Sequence, residues 1–262
     1  MKRALSVQLY SLREESKQDF PAVLKRVADI GYIGIEPAGF YGLKPAEFKK
    51  MVDDLGLKIF SSHSPWGGPD NLSESMDVLS ELGLNNMVCG YGGGAFKDMD
   101  AIKESAEKTS KIYETLAQNG FTLFQHNHDW EFERLDGRLK YEIYAELCPN
   151  VKFQIDSFWS ANSGEEDEVA IYKMFAPRAS NTIHIKDGIL NRNRKPDEPF
   201  KRIVDLRALG SGDLNIKGLV ENLPPQVESI IVELDSCNID MFTAIELSYK
   251  YMIDNGLAAG NK

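Results

Sequence analysis

The sequence predicts an α/β fold, a single (β/α)8 TIM barrel that takes up residues 1–262 as one domain. Three observations carry this. The chain has 262 residues, 42% of them hydrophobic, which is the length such a barrel typically uses and enough apolar material for one core. A phrase recurs along it: a charged segment of helical pattern, a Gly or Asn-Gly stop, then a short apolar run. That is the junction from helix to strand in an alternating fold, with glycine at the helix C-cap. Finally, no strand candidate is followed by the G-x-G-x-x-G turn of the competing doubly wound sheet.

The elements follow in order. ALSVQLY is the first strand; KRVADIGYIGIEP, KKMVDDLGLKIFSSH, LSELGLNNMVCG and YETLAQNGFTLFQH then supply strands two to five. Gly31, Gly56, Gly83 and Gly120 stop the helices that precede these four. VKFQID, NTIHIK and ESIIVEL continue as strands six to eight, separated by segments such as DEVAIYKMFA and LNIKGLVENL that are long enough for helices. The glycine-rich GYGGGAF, Gly90 to Phe96, lacks both dinucleotide spacing and a P-loop lysine, so it reads as flexible backbone before it reads as a phosphate cradle.

Composition narrows the function. A formal net charge of −10 opposes a nucleic-acid backbone and suits a cation or a neutral polar molecule. The sequence contains neither an opening apolar run of signal-peptide type nor an 18-residue apolar stretch, so the cytoplasm, with no membrane partner, is the expected location. Cys89, Cys148 and Cys237 are odd in number and far apart, which argues against disulfides and a cysteine-rich zinc site.

A barrel places its working groups at the C-terminal ends of its strands. There the sequence puts Gln8 and Tyr10, Glu36, His63, His126 and His128, Asp156, His184 and Lys186, and Glu233 and Asp235, which include all four histidines of the chain. Period-two alternation gives His126 and His128 one face of strand five, and pairs His184 with Lys186 and Glu233 with Asp235. Plainer readings exist: Asp156 as a turn cap, His184 as a satisfied core histidine. Glu233 resists such a reading, because a carboxylate closing the apolar run SIIV requires a cation or donor nearby. His126, Asp156, His184 and Glu233 form a mixed N/O set suited to a divalent metal, Mn, Zn, Co or Fe. Such a metal would stabilise an enediolate, with Glu233 or His126 as base and Lys186 or His128 assisting an oxyanion or proton return.

SVQLYSLREE, GYIGIEPAGFYG, QHNHDWEF, QIDSFW, HIKDG, LGSGDL and VELDSC together resemble the sugar phosphate isomerase/epimerase superfamily, the xylose isomerase-like barrels, across nearly the whole chain. The His-rich strand five is also similar to the inosose dehydratase branch. The resemblance implies a divalent metal at the ends of strands five to eight, held by Glu, Asp, His and Glu, of which the last three fall on Asp156, His184 and Glu233. The sequence departs from that pattern in two places. His126 stands where the familiar epimerases carry a catalytic Glu, and Trp159 where they often carry His.

The expected activity is a divalent-metal-dependent isomerase or epimerase of a sugar, either a keto-sugar or a sugar phosphate, working through an enediolate, with a small sugar or cyclitol as the expected partner. A dehydratase of inosose or dehydroshikimate type is the alternative on the same site, and a non-catalytic sugar-binding barrel the alternative of another class. Tyr10, Glu36, His63, His128 and Trp159 are the expected substrate contacts, and a homodimer is admissible. Trp66, Trp130 and Phe40 are further aromatic candidates in or near the loops. The basic segment GILNRNRKPDEPFKR reads as a solvated loop, with a lid or an anion anchor as the other option.

Overall fold

A computed structural model describes residues 2–195 and 197–262. Eight parallel strands alternate with helices among these residues: β1 (Ala4–Gln8), β2 (Gly34–Glu36), β3 (Lys58–Ile59), β4 (Asn86–Cys89), β5 (Thr122–His126), β6 (Lys152–Gln154), β7 (Thr182–Ile185) and β8 (Ser229–Val232). The helices between them are α1 (Arg13–Ile30), α2 (Pro45–Asp54), α3 (Leu72–Glu81), α4 (Met99–Gln118), α5 (Lys140–Leu147), α6 (Glu168–Phe175) and α7 (Ile216–Glu221), with α8 (Met241–Asp254) after the last strand. The expected order of elements is the observed one.

Local chemistry sets the boundaries. Gly31, Gly56, Gly83 and Gly120 all have positive φ, as the glycine stops require. At Gly31 a side chain would also collide with Tyr249, which packs over this junction. Asp98 caps α4 by accepting from Ala101 N at 2.9 Å, and Ala101, Ile102, Ser105, Thr109, Ile112 and Leu116 of that helix are buried at its three- and four-residue spacings. Helix α1 is broken at Asp19 (φ −152°, ψ 85°): Pro21 lacks the N–H of a continuous helix, and the Asp19 carboxylate starts the second part by accepting from Ala22 N.

The strands form two parallel sheets, β3-β2-β1-β8-β7 and β4-β5-β6. Outside these ladders, single bridges pair Phe153 with Ala179 and Asp156 with His184, joining β6 to β7; Asn86 Nδ2 donates to Phe60 O at 3.1 Å across the gap between β3 and β4. Alternation divides the strands. Leu5, Val7, Ile35, Leu123, Phe153, Ile183 and Ile230 belong to the hydrophobic core. Their polar alternates meet one another inside the barrel: Ser6 Oγ lies 2.7 Å from Ser229 Oγ, and above them sit Gln8, Glu36, Gln154, Thr182 and His184. Parallel strands bring every C-terminal end to one mouth, where this polar layer opens. None of the described helices is long and apolar enough to cross a membrane.

Candidate active site

A cavity of about 340 Å³ opens at the mouth, lined by Tyr10, Ala38, His63, Ser64, Trp66, His126, His128, Lys186, Glu233 and Asp235. The end of each contributing strand delivers a polar group by the alternation read from sequence. His126 ends β5; His128 lies just beyond, its ring 5.4 Å from that of His126 and at 90° to it. Asn127, on the other face, accepts from Asp156 N at 2.9 Å and so ties β5 to the end of β6.

His126, Asp156, His184 and Glu233 come together, each offering a ligand atom within 4.8 Å of the others, and all four are buried. His184 is gripped at both ring nitrogens: Nδ1 lies 2.6 Å from Glu233 Oε2 and Nε2 lies 2.6 Å from Glu36 Oε2. Burial alone would lower its pKa, but Glu36 and Glu233 outweigh that and raise it to about 10, so His184 is an imidazolium that donates to both. The plainer reading of a satisfied histidine therefore holds in form, yet its partners are carboxylates of the site.

Lys186 is the second buried cation. Its Nζ lies 2.9 Å from Asp156 Oδ2, 3.2 Å from Glu233 Oε2 and 2.7 Å from Asp235 Oδ2. Burial works against its charge, and the three carboxylates overcome it and push the pKa up. Burial also works against ionisation of Glu233, and there Lys186 and His184 prevail, holding it a carboxylate well below the usual range. Asp156 goes the other way, raised by burial and by the Glu233 charge beside it. Its Oδ1 accepts from Phe158 N and Trp159 N at 3.1 Å each, capping the helical turn Ser157–Ser160, while Oδ2 faces Lys186. Cap and site member are thus the same residue. His126 is lowered well below 6.5, first by burial and then by His184 and His63, and His128 is lowered to about 4, first by burial and then by Lys186; both are neutral at pH 7.

The donors fit a divalent cation. Two of the four, His126 Nδ1 and Asp156 Oδ2, are buried atoms without an aligned hydrogen bond, and a neutral imidazole with two carboxylates is a borderline N/O set. Charge points the same way: Glu36, Asp156, Glu233 and Asp235 face one ammonium and one imidazolium, a surplus of two negative charges.

Two expected substrate contacts lie elsewhere than the sequence suggested. Glu36 is fully buried beneath the cavity and takes no part in its wall. Its Oε2 accepts from Gln8 and His184, and its Oε1 from Ser61 and Gln154. Burial raises its pKa, and His63, His184 and these donors reverse that and hold it at about 2. From there it holds His184 at Nε2. Trp159 is 5% exposed, with Lys186 Nζ 5.1 Å from its ring centre, so it packs behind the lysine and is not a stacking platform. Tyr10, His63 and His128 do line the cavity. His63 bonds Gln154 through Nε2 at 2.8 Å and stacks on His184 at 5.0 Å.

Trp66 lines the cavity, Trp130 stacks on His128 at 4.4 Å, and Phe40 lies outside the cavity wall. The GYGGGAF loop explains itself by these rings: a Cβ at Gly90 would stand 2.8 Å from the Trp66 indole, and Tyr91 O accepts from Trp130 Nε1. It is a seat for two tryptophans. The arginines of the basic segment are each paired, Arg192 with Glu168, Arg194 with Glu165 and Arg202 with Asp129, which supports the loop reading over an anion anchor. Sequence reasoning passed over Ala38 and Ser64, small residues without a chemical signal. It also left Asp235 out of the site, although its pairing with Glu233 by alternation pointed there.

The profile of the family described as Xylose isomerase-like TIM barrel matches residues 24–233. Inosose dehydratase from Klebsiella pneumoniae (strain 342) is 24% identical over 195 residues, 66% of this chain and 65% of that protein, so the match spans just under two thirds of the curated relative. The structure of a sugar phosphate isomerase/epimerase from Parabacteroides distasonis ATCC 8503 superposes with a TM-score of 0.76 at 23% identity, over 99% of this chain and 98% of that one. The IOLI protein, crystallised with a bound zinc atom, superposes at 0.71 with 15% identity over 97% of each chain. Likenesses this distant establish the fold.

Proposed function

The chain belongs to the xylose isomerase-like TIM barrel family, and from that premise we propose that it is a divalent-metal-dependent isomerase or epimerase of keto-sugars or related cyclitols. The observation that carries this reading is the convergence of His126, Asp156, His184 and Glu233 beside the Lys186 ammonium in one cavity. A divalent cation held by those four would polarise a substrate carbonyl and make the neighbouring C–H acidic; zinc in the related IOLI structure supports the choice of ion class.

The chain's own groups then have distinct tasks. Glu233 is ionised and lines the cavity, so its carboxylate is the base that takes the proton beside the carbonyl. Lys186, cationic and at the same wall, donates to the oxygen on which negative charge develops. Neutral His128 stands at the rim, able to accept a proton from a sugar hydroxyl, and Tyr10, His63 and Trp66 enclose the ring. To ligate through Nδ1, His184 would release to solvent the proton it now donates to Glu233, with Glu36 retaining the one on Nε2.

One observation favours a second reading. His126 occupies the position where the epimerase pattern has a second glutamate, and a matching relative is an inosose dehydratase. Loss of a β-hydroxyl after the same proton abstraction needs no second carboxylate. A screen of ketoses, 3-keto-sugars and inososes in deuterated water with Mn²⁺ separates the two. Isomerase or epimerase action introduces deuterium at carbon without loss of water; dehydration expels the β-hydroxyl of the substrate, so the product is lighter by one water. The enzyme reading falls if protein purified without chelators carries no stoichiometric divalent metal and no compound exchanges.

A further inference from the structure

A second cavity, of about 400 Å³, adjoins the first and shares Ser64 with it. The two are built on the same pair of loops, one residue apart. Ala38 and Ser64 line the reaction cavity, whereas Gly39 and Pro65 line its neighbour, together with Phe40, Pro45 and Val78. Where they adjoin stand three small residues, Ala38, Gly39 and Ser64. Gly39 has φ +104°, which excludes most other residues, and the nearest atom to a Cβ there, on Tyr41, is 3.9 Å away. The chemistry changes from one cavity to the other. On one side stand two carboxylates, an ammonium and imidazoles; on the other, Phe40, Pro45, Pro65 and Val78 supply most of the wall, with Asn71 and Glu74 as its polar members. Ser75 lines this second cavity, and its hydroxyl is buried without a protein partner. A mainly apolar recess that shares Ser64 with a sugar-sized polar site has the form of an extended substrate site.

Resting on the function proposed above, we propose that the natural substrate is a glycoside, whose keto-sugar ring reacts beside Lys186 and Glu233 while a flat, apolar aglycone occupies the Phe40, Pro65 and Val78 recess. The paired arginines of the loop after β7 agree with an uncharged substrate, since each is already neutralised by a carboxylate. An aromatic ring buried in the recess should tighten binding roughly ten-fold or more over a methyl group at the same position.

Calorimetry with the Mn²⁺-loaded protein, using methyl and 4-nitrophenyl 3-keto-β-D-glucopyranoside and the corresponding parent glucosides, tests this. The expected result is at least a ten-fold preference for the nitrophenyl member of a pair, abolished by Val78→Trp, which fills the recess. Val78→Phe should reduce the preference by an intermediate amount, and thermal melts confirm that either variant is folded. Equal affinity for the methyl and nitrophenyl compounds in the unmodified protein overturns the subsite and leaves the keto-sugar reading standing. A preference that survives Val78→Trp in folded protein also overturns it. If no compound of the set binds, the keto-sugar reading falls and takes the subsite with it.

Discussion

Glu131 shows how far the site's surroundings depart from ordinary solution chemistry. It belongs to the QHNHDWEF segment, is fully buried, and accepts from His128 N at 2.9 Å through Oε2, while Oε1 has no partner. Burial is the main cause that pushes its pKa well above 4.5, so folding favours the neutral acid. A raised carboxyl pKa contributes stability that is complete below the unfolded value and is lost as pH rises towards and through the folded one. Glu131→Gln keeps the acceptor for His128 N and removes the ionisation. The variant should match the parent protein near pH 4 and become the more stable of the two as pH rises, by at most about 1.4 kcal/mol per unit. Thermal melts of both between pH 4 and 8 measure the difference; a constant offset would mean that Glu131 is already ionised. At this scale the sequence revealed chemistry better than contacts. Residue type and alternation brought His126, Asp156, His184 and Glu233 into one cluster, because a strand end fixes direction. They could not tell that Glu36 lies below the cavity, since depth depends on the register of β1, β2, β6 and β7 around it.

The segment between β7 and β8 was the least legible element. HIKDG and LGSGDL look like site motifs, but in the structure much of their role is to fasten a long connection. Asp187 accepts from Gly188 N and Gly210 N at 2.8 Å, Gly212 N at 3.0 Å and Leu214 N at 3.2 Å. Asp213 reaches back to Leu190 N at 2.8 Å, and Asp187 and Gly188 pair with Leu206 and Arg207 as a short antiparallel ladder. A side chain at Gly212 would collide with Asp187, which is why the motif needs glycine there. Asp187→Ala leaves these donors unmatched around a buried centre and should cost about 3 kcal/mol. Asp187→Asn, which keeps one acceptor oxygen, should cost about half as much. Urea unfolding gives both values, and a loss below about 0.5 kcal/mol for the alanine variant would contradict the fastening role. The helices were easier to read: glycine stops and apolar periodicity are local signals. The hairpin of Arg134–Leu135 with Arg138–Leu139 had a local signal too, the Asp136-Gly137 turn with positive φ at both positions.

At the scale of the molecule, the cluster lies across a seam. The strands divide into β3-β2-β1-β8-β7 and β4-β5-β6, and between β6 and β7 there is no continuous ladder, only the single bridges Phe153 to Ala179 and Asp156 to His184 and side-chain bonds such as Gln154 to Thr182. His126 and Asp156 end or follow strands of the smaller sheet; His184 lies within a strand of the larger one, and Glu233 follows another. No periodicity in the sequence encodes this division, which depends on which strands hydrogen-bond along their whole length. A cation that takes ligands from both sides would therefore fasten the sheets together as well as serve catalysis. Binding only to the folded state stabilises by RT ln(1 + [L]/Kd), about 2.7 kcal/mol at a hundred times Kd. Mn²⁺ or Zn²⁺ added to chelator-stripped protein should raise the melting temperature by several degrees, and amide exchange at β5 and β6 should slow more than at β1 and β8. Asp156→Asn should remove most of both effects, because it weakens the one carboxylate that the smaller sheet contributes. Stabilisation spread evenly over all eight strands would instead place the ion within one sheet, and an unchanged melting temperature would remove it from the barrel mouth altogether.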